Sequence, residues 1–366
     1  MNDKNNESFI GKISFSVKAF VILDIILVIF LVLFNLRPDI CETFFSKGLY
    51  PVSAYVFGRL TDYLFFSLTE LTAVILVMVF GIRIILAIWQ IIRKKLKFYV
   101  ALKHFIKQGF VFLSLFMFWF YFAWGFNYFR KPIDFGIKAD NEITDEYFNK
   151  VMEIIIKRSN EFYVKREMTL LEVNQKANAE ISKTIGQFSK MDIRPAKKYK
   201  FSMMKILSNT NTLGVISPFF LEMHISRELF DSEMPSVLTH EKSHLYGYAD
   251  EAEANLLSFL ACSNSDDEYF KYSAYSELLP YFFGAYIKKH KKEEYTAKYM
   301  ELRPEIREEF TRMKERYENH DSKLNKMLMD AYDWYLKANN VSEGTESYSQ
   351  VVELILKNGL INTEEQ

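Results

Sequence analysis

The stretch Pro235-Ser-Val-Leu-Thr-His-Glu-Lys-Ser-His-Leu-Tyr-Gly247 runs directly into Tyr248-Ala-Asp-Glu-Ala-Glu-Ala-Asn255. Within it, His240-Glu241-x-x-His244 sets two imidazoles four residues apart, a spacing that puts both on one helical face. Such a pair can grip a single metal ion, with Glu241 beside it to take a proton from water. The flanks suit a helix. Pro235 fits a first helical position, and Gly247 fits the left-handed residue that closes one. In a chain of this composition, H-E-x-x-H arises by chance on the order of once in a hundred chains. The plain alternative is a charged, solvated helix face with two incidental histidines. Against it stands a run of acids immediately downstream, any of which can supply a third ligand.

Three acids compete for that role. Asp250 lies where the longer H-E-x-x-H-x-x-G-x-x-H pattern carries its last ligand, and Gly247 fits the glycine of that pattern. Glu251 comes one residue later and four before Asn255, so these two share a face of a following helix. Asn255 is then placed to orient a ligating histidine from behind. Glu253 points about 200° round the helix from Glu251. Glu251 is the favoured ligand, with Asp250 and Glu253 as alternatives. Two imidazoles and a carboxylate suit Zn2+ best.

Further pieces of the chain carry a resemblance. They are Leu49-Tyr-Pro51, Ala123-Trp-Gly-Phe-Asn-Tyr-Phe-Arg130, Ser217-Pro-Phe219, Glu251-Ala-Glu-Ala-Asn255, Leu260-Ala-Cys262, Tyr272-Ser273, Tyr335-Leu-Lys-Ala-Asn339 and Ser347-Tyr348. With the motif, they resemble a family of bacterial multi-pass membrane proteins in which three membrane helices precede a zincin-like domain. The resemblance implies a metallopeptidase-like fold, with His240, Glu241, His244 and Glu251 at the family's motif positions. It implies no substrate. One departure bears on catalysis: zincin motifs keep uncharged residues between the glutamate and the second histidine, and here Lys242 and Ser243 stand there. That lysine must point away from the metal or weaken its binding.

The 366 residues are 49% hydrophobic and 16% aromatic, enough for a sizeable core. Lys and Arg balance Asp and Glu at 46 each. The apolar residues nevertheless crowd into the first third, the mark of a membrane part joined to a soluble part. Val17 to Leu36, Leu71 to Ile92 and Gly109 to Phe126 each read as a span of a hydrocarbon core of ~30 Å. Asp24 and Arg83 inside them read as paired or snorkelling groups. The loop between the second and third spans carries Arg93, Lys94, Lys95, Lys97, Lys103 and Lys107. The loop after the first has only Arg37, Lys47 and Arg59. The positive-inside rule then puts the N-terminus, with Lys4, Lys12 and Lys18, in the cytoplasm and everything after Phe129 outside a bacterial plasma membrane. Two cysteines make no disulfide framework, and no folded basic face calls for nucleic acid.

These readings give a mainly α chain: a three-helix anchor over residues 1–130, then a mostly helical zincin-like α+β domain over 131–366. Pro132 and Gly136 break the exit from the membrane. Asn141 to about Met191 reads as helix, and Thr212 to Ile225 as short strands cut by Gly214 and Pro218. In zincin folds an edge strand ahead of the metal helix pairs with substrate, and this is the candidate. His224 reads as a strand residue, and Tyr272 or Tyr275 as core aromatics with a possible oxyanion role. Leu324, Met327, Leu328, Ala331, Trp334 and Tyr335 form a packing stripe, and Gly344 marks a turn before a last helix. The functional expectation is a membrane-anchored zinc metallopeptidase, its partners the lipid bilayer and a peptide or protein substrate near it. A non-catalytic zinc-binding receptor or scaffold is the alternative. A transporter with an incidental motif is the third, and three spans make a thin pore.

Overall fold

The computed structural model describes residues 17–135, 143–189, 193–202, 212–319, 323–339, 341 and 350–361. Lys4, Lys12, Gly136, Met191, Gly344, Ser347 and Tyr348 lie outside them. The first apolar run folds as helix α1, described over Val17–Leu36, and ends at the Leu36 its composition predicts. The second is α4, Leu68–Ile92, and the third α5, Phe98–Ala123. At 20, 25 and 26 residues, each is long and apolar enough to cross a bilayer. The chain is therefore mainly helical with three candidate membrane helices, which marks it as membrane-associated.

Three boundaries differ from expectation. Helix α4 begins at Leu68 rather than Leu71. Helix α5 begins at Phe98 rather than Gly109, because nothing breaks the helix between its basic and its apolar part. It ends at Ala123, where Gly125–Phe129 tightens into a 3-10 turn. Helices α1 and α5 pack on each other, and Ser114 Oγ donates to Asp24 Oδ2 at 2.8 Å. The acid inside the first span is thus a paired group.

The connection between the first two spans is helical as well. Pro38–Ile40 (α2) leads into a wide helical turn over Cys41–Leu49 and then α3, Tyr50–Tyr63. After Tyr50, the small residues Ala54, Gly58 and Thr61 line the inner face of α3, which lets it approach other backbone closely. A Cβ added to Gly58 would stand 2.6 Å from the Ala196 nitrogen.

Beyond residue 143 come α6 (Asp145–Glu161) and α7 (Leu170–Phe188), each opened by a threonine cap, Thr144 and Thr169. The strands are β1 (Tyr199–Phe201), β2 (Gly214–Ser217) and β3 (Glu222–Ile225). They form a sheet in the order β1-β3-β2, with β1 parallel and β2 antiparallel to the central strand. Next follow α8 (Met234–Leu245), α9 (Glu251–Ser263) and α10 (Glu268–Ile287). The chain continues through α11 (Lys292–Met300), α12 (Pro304–Asn319), α13 (Lys323–Ala338) and α14 (Gln350–Lys357).

The sheet is fastened to the start of α4 through one carboxylate. Glu222 is almost wholly buried and accepts from Leu68 N and Thr69 N, both at 2.9 Å. It also accepts from Ser67 Oγ, Thr69 Oγ1 and Lys200 Nζ. A helix leaves its first N–H groups without partners inside the helix, so a buried anion there is stabilised twice, by hydrogen bonds and by the dipole. His224 Nε2 lies 2.9 Å from Ser67 Oγ in the same cluster, which makes it a structural strand residue. One apolar core runs from Leu27 and Phe34 in α1 through Phe126, Val151 and Leu256 to Ile355 in α14.

Candidate metal centre

Helix α8 starts from Pro235 in its first turn, after the 3-10 turn Asp231–Glu233 whose Glu233 side chain accepts from Phe230 N. Every residue of α8 except His240 is buried. Hydroxyls in its middle do not stay unpaired: Thr239 Oγ1 donates back to Pro235 O and Ser243 Oγ to Thr239 O. Gly247 closes the helix with φ +84°. It is the left-handed residue its position predicted, and a Cβ there would meet the Tyr50 ring at 2.9 Å.

The first residue of α9 then comes back to α8. Glu251 Oε2 lies 3.2 Å from His240 Nε2 and 3.3 Å from His244 Nε2, and the two imidazole nitrogens are 3.1 Å apart. Three ligands about 2 Å from a tetrahedral ion stand about 3.3 Å from one another, so the donor set has the spacing a single ion needs. Two further features fit a cation. Glu251 Oε2 is buried with no hydrogen-bond partner, while its other oxygen accepts from Tyr332 O–H at 2.9 Å. His244 Nδ1 stands 2.6 Å from Tyr248 O, so its proton goes to the carbonyl and Nε2 keeps its lone pair.

The electrostatics point the same way. Burial alone would keep the His244 imidazole neutral, but the Glu251 carboxylate beside it lifts its pKa to about 9. Burial would likewise raise Glu251, and the two imidazoles hold it well below the usual carboxylate range. Without metal the cluster keeps a proton that a divalent ion would displace.

Glu241 sits next to the ligands, buried, with its carboxyl pushed up by that burial. Its room comes from β2. A Cβ at Gly214 would lie 2.6 Å from Glu241 Oε1, so only glycine leaves this carboxylate where it is. Lys242 points away from the ligands: its Nζ donates to Lys197 O at 3.1 Å. Burial lowers its pKa to about 7, an effect that Asp62 opposes.

The alternative acids are engaged elsewhere. Asp250 is the N-cap of α9, accepting from Glu253 N at 2.9 Å. Glu253 Oε1 accepts from Ile133 N at 2.7 Å, and burial pushes its carboxyl to about 7. Asn255 is buried one turn after Glu251, on a wall it shares with Ser236, Glu277 and Tyr281. Burial raises the Glu277 carboxyl, and Ser236 and the nearby His240 offset this in part. Tyr272 donates to Glu309, and Tyr275 packs between Phe162 and Phe259 in the core.

Sequence reasoning missed the groups that hold α8 from the membrane side. The carbonyls of its last turn have no partners inside the helix. Trp124 Nε1 donates to His244 O at 2.9 Å, Tyr50 O–H to Leu245 O at 2.7 Å, and Arg130 to Gly247 O at 2.9 Å. Arg130 is itself forked onto Glu42 and lies over the Tyr248 ring. The only signal for this in the chain was that Tyr50, Trp124 and Arg130 sit in segments that carry the family resemblance.

No curated protein and no solved structure matches the chain. The family model described as "Protein of unknown function (DUF3810)" matches residues 45–356. That match takes in the second half of the wide turn after the first span, the remaining two spans, the sheet and the whole His-His-Glu cluster, and by it the chain belongs to the DUF3810 family.

Proposed function

We propose that the protein is a membrane-anchored, zinc-dependent metallopeptidase with a zincin-like site that hydrolyses peptide bonds of an envelope protein or peptide. The observation that carries this reading is the convergence of His240, His244 and Glu251 on one point, with Glu241 at its side. Zn2+, when bound by these three, would polarise a substrate carbonyl and lower the pKa of water. Glu241 then accepts a proton from the attacking water and delivers it to the leaving amine. The Tyr248 carbonyl keeps the His244 ring in the tautomer that leaves Nε2 free. Tyr332 fixes the Glu251 carboxylate from its far oxygen. Among the described strands β2 lies at an edge, next to Glu241, and an extended peptide can pair there. The expected topology puts this domain on the outer face of a bacterial plasma membrane.

A second reading, a non-catalytic zinc-binding receptor or scaffold, is favoured by one feature. Glu241 is only 5% exposed, and Tyr332 covers Glu251 from the other side. Glu241→Gln separates the two. Measured on the full chain in lipid nanodiscs, it is expected to keep its zinc by elemental analysis and to lose cleavage of a peptide library by roughly 10²–10⁴-fold. Unchanged behaviour of the variant would favour the scaffold, and failure of the wild type to retain any transition metal would remove both readings.

A further inference from the structure

Helix α3 has two faces of opposite kinds. Its inner face is made of Tyr50, Ala54, Gly58 and Thr61, all buried against the rest of the protein. Its outer face repeats at helical spacing through Val52, Val56, Leu60 and Tyr63, which are 62%, 53%, 47% and 88% exposed. Phe65, just past its end, is 94% exposed. The one charged residue on this face, Arg59, lies over the Tyr55 ring at 5.5 Å. A solvated helix carries polar residues outward; this one carries its apolar stripe outward.

Its place in the chain says what covers that stripe. Helix α3 joins the end of α1 to the start of α4, so both its ends are tied to one side of the membrane helices. Phe57 stacks on Trp119, one turn before α5 ends, with ring centroids 6.5 Å apart. Trp119 is 43% exposed, and aromatic side chains of this kind collect at the water–lipid boundary. The outward stripe is thus continuous with the exposed apolar surface of the spans themselves.

We infer that α3 is an interfacial helix whose outer face, Val52, Val56, Leu60, Tyr63 and Phe65, is embedded in the lipid leaflet, with Arg59 reaching the headgroups. Its inner face carries the Tyr50 hydroxyl that holds Leu245 O, one residue beyond His244. The metal helix is therefore seated on a helix that rests in the bilayer, and its height above the lipid is fixed by one helix thickness of about 10 Å.

The test uses the full chain in lipid nanodiscs, with nitroxide labels placed singly at Val52→Cys, Val56→Cys, Leu60→Cys and Phe65→Cys. Cys41 and Cys262 are buried and do not compete for label. Lys157→Cys on the exposed face of α6 serves as the aqueous reference. Lipid burial predicts a ratio of oxygen to nickel-chelate accessibility roughly threefold or more above that reference at all four sites. Ratios equal to the reference would show a face in water and overturn the inference. Spin–spin broadening at these sites that disappears on dilution with unlabelled protein would show a second copy there and overturn it equally. None of these readouts depends on metal or on hydrolysis, so the result stands apart from the proposed reaction.

Discussion

Lys242 within the metal motif gives a quantitative prediction. Its ammonium is buried in α8 and its pKa falls from 10.5 to about 7. A lysine whose pKa is lowered on folding contributes least when it is charged in both states, below pH 7. Its penalty fades as pH rises toward 10.5, where the unfolded chain loses the proton too. At 1.36 kcal/mol per pKa unit, the full penalty is about 5 kcal/mol. It falls to about 4 kcal/mol at pH 7.5 and about 1 kcal/mol at pH 9.5. Lys242→Met keeps all but the last atom of the side chain's length and removes the charge. The lost hydrogen bond returns about 1 kcal/mol at most, because Lys197 O still accepts from Asn174 and Asn178. The metal-free variant in detergent should therefore melt above wild type at pH 7.5, with the gap closing by pH 9.5 and zinc uptake unaffected. A gap that is constant across this range, or a variant less stable than wild type at pH 7.5, would refute the assignment of Lys242 as a buried lysine that folding strips of its charge.

Three other substitutions test neighbouring parts. Gly214→Ala should displace the Glu241 carboxylate, so hydrolysis falls sharply while zinc content by elemental analysis stays the same. Glu222→Gln should destabilise by ~3 kcal/mol, since it leaves Lys200 buried without its counter-charge, and thermal melting in detergent reads this directly. Tyr50→Phe should lower stability by about 1–3 kcal/mol by leaving Leu245 O unpaired, and hydrogen exchange should rise first at the end of α8.

Local information carried far in this chain. The first span was legible because only Asp24 and Asn35 interrupt its apolar run, and the His-His-Glu cluster was legible because its spacing lies within one helix and the turn after it. Helix α3 was not: its outward face is apolar and its inner face small, so it lacks the polar contrast by which a helix is read from periodicity. The stripe on α13 misled in a related way. Met327 and Trp334 were expected to pack, yet both are largely exposed; Tyr335 turns inward as expected, joined by Tyr332 and Leu336. Tyr332, Gly214 and Trp124 lie far along the chain from the residues they serve. No motif links them, and only the folded chain puts them in contact.

The seating of α8 has a practical consequence for anyone hoping to study the part after residue 130 on its own. Trp124, Tyr50 and Arg130 all precede residue 131, so an expression clone starting there would remove the side-chain donors to His244 O, Leu245 O and Gly247 O at the tail of α8, leaving His244 O its backbone bond from Gly247 N. It would also uncover the apolar wall around Phe126. Such a fragment is expected to precipitate or to collapse without a defined site. The hydrophobic leader is a working part of the scaffold and cannot be exchanged for a generic tether.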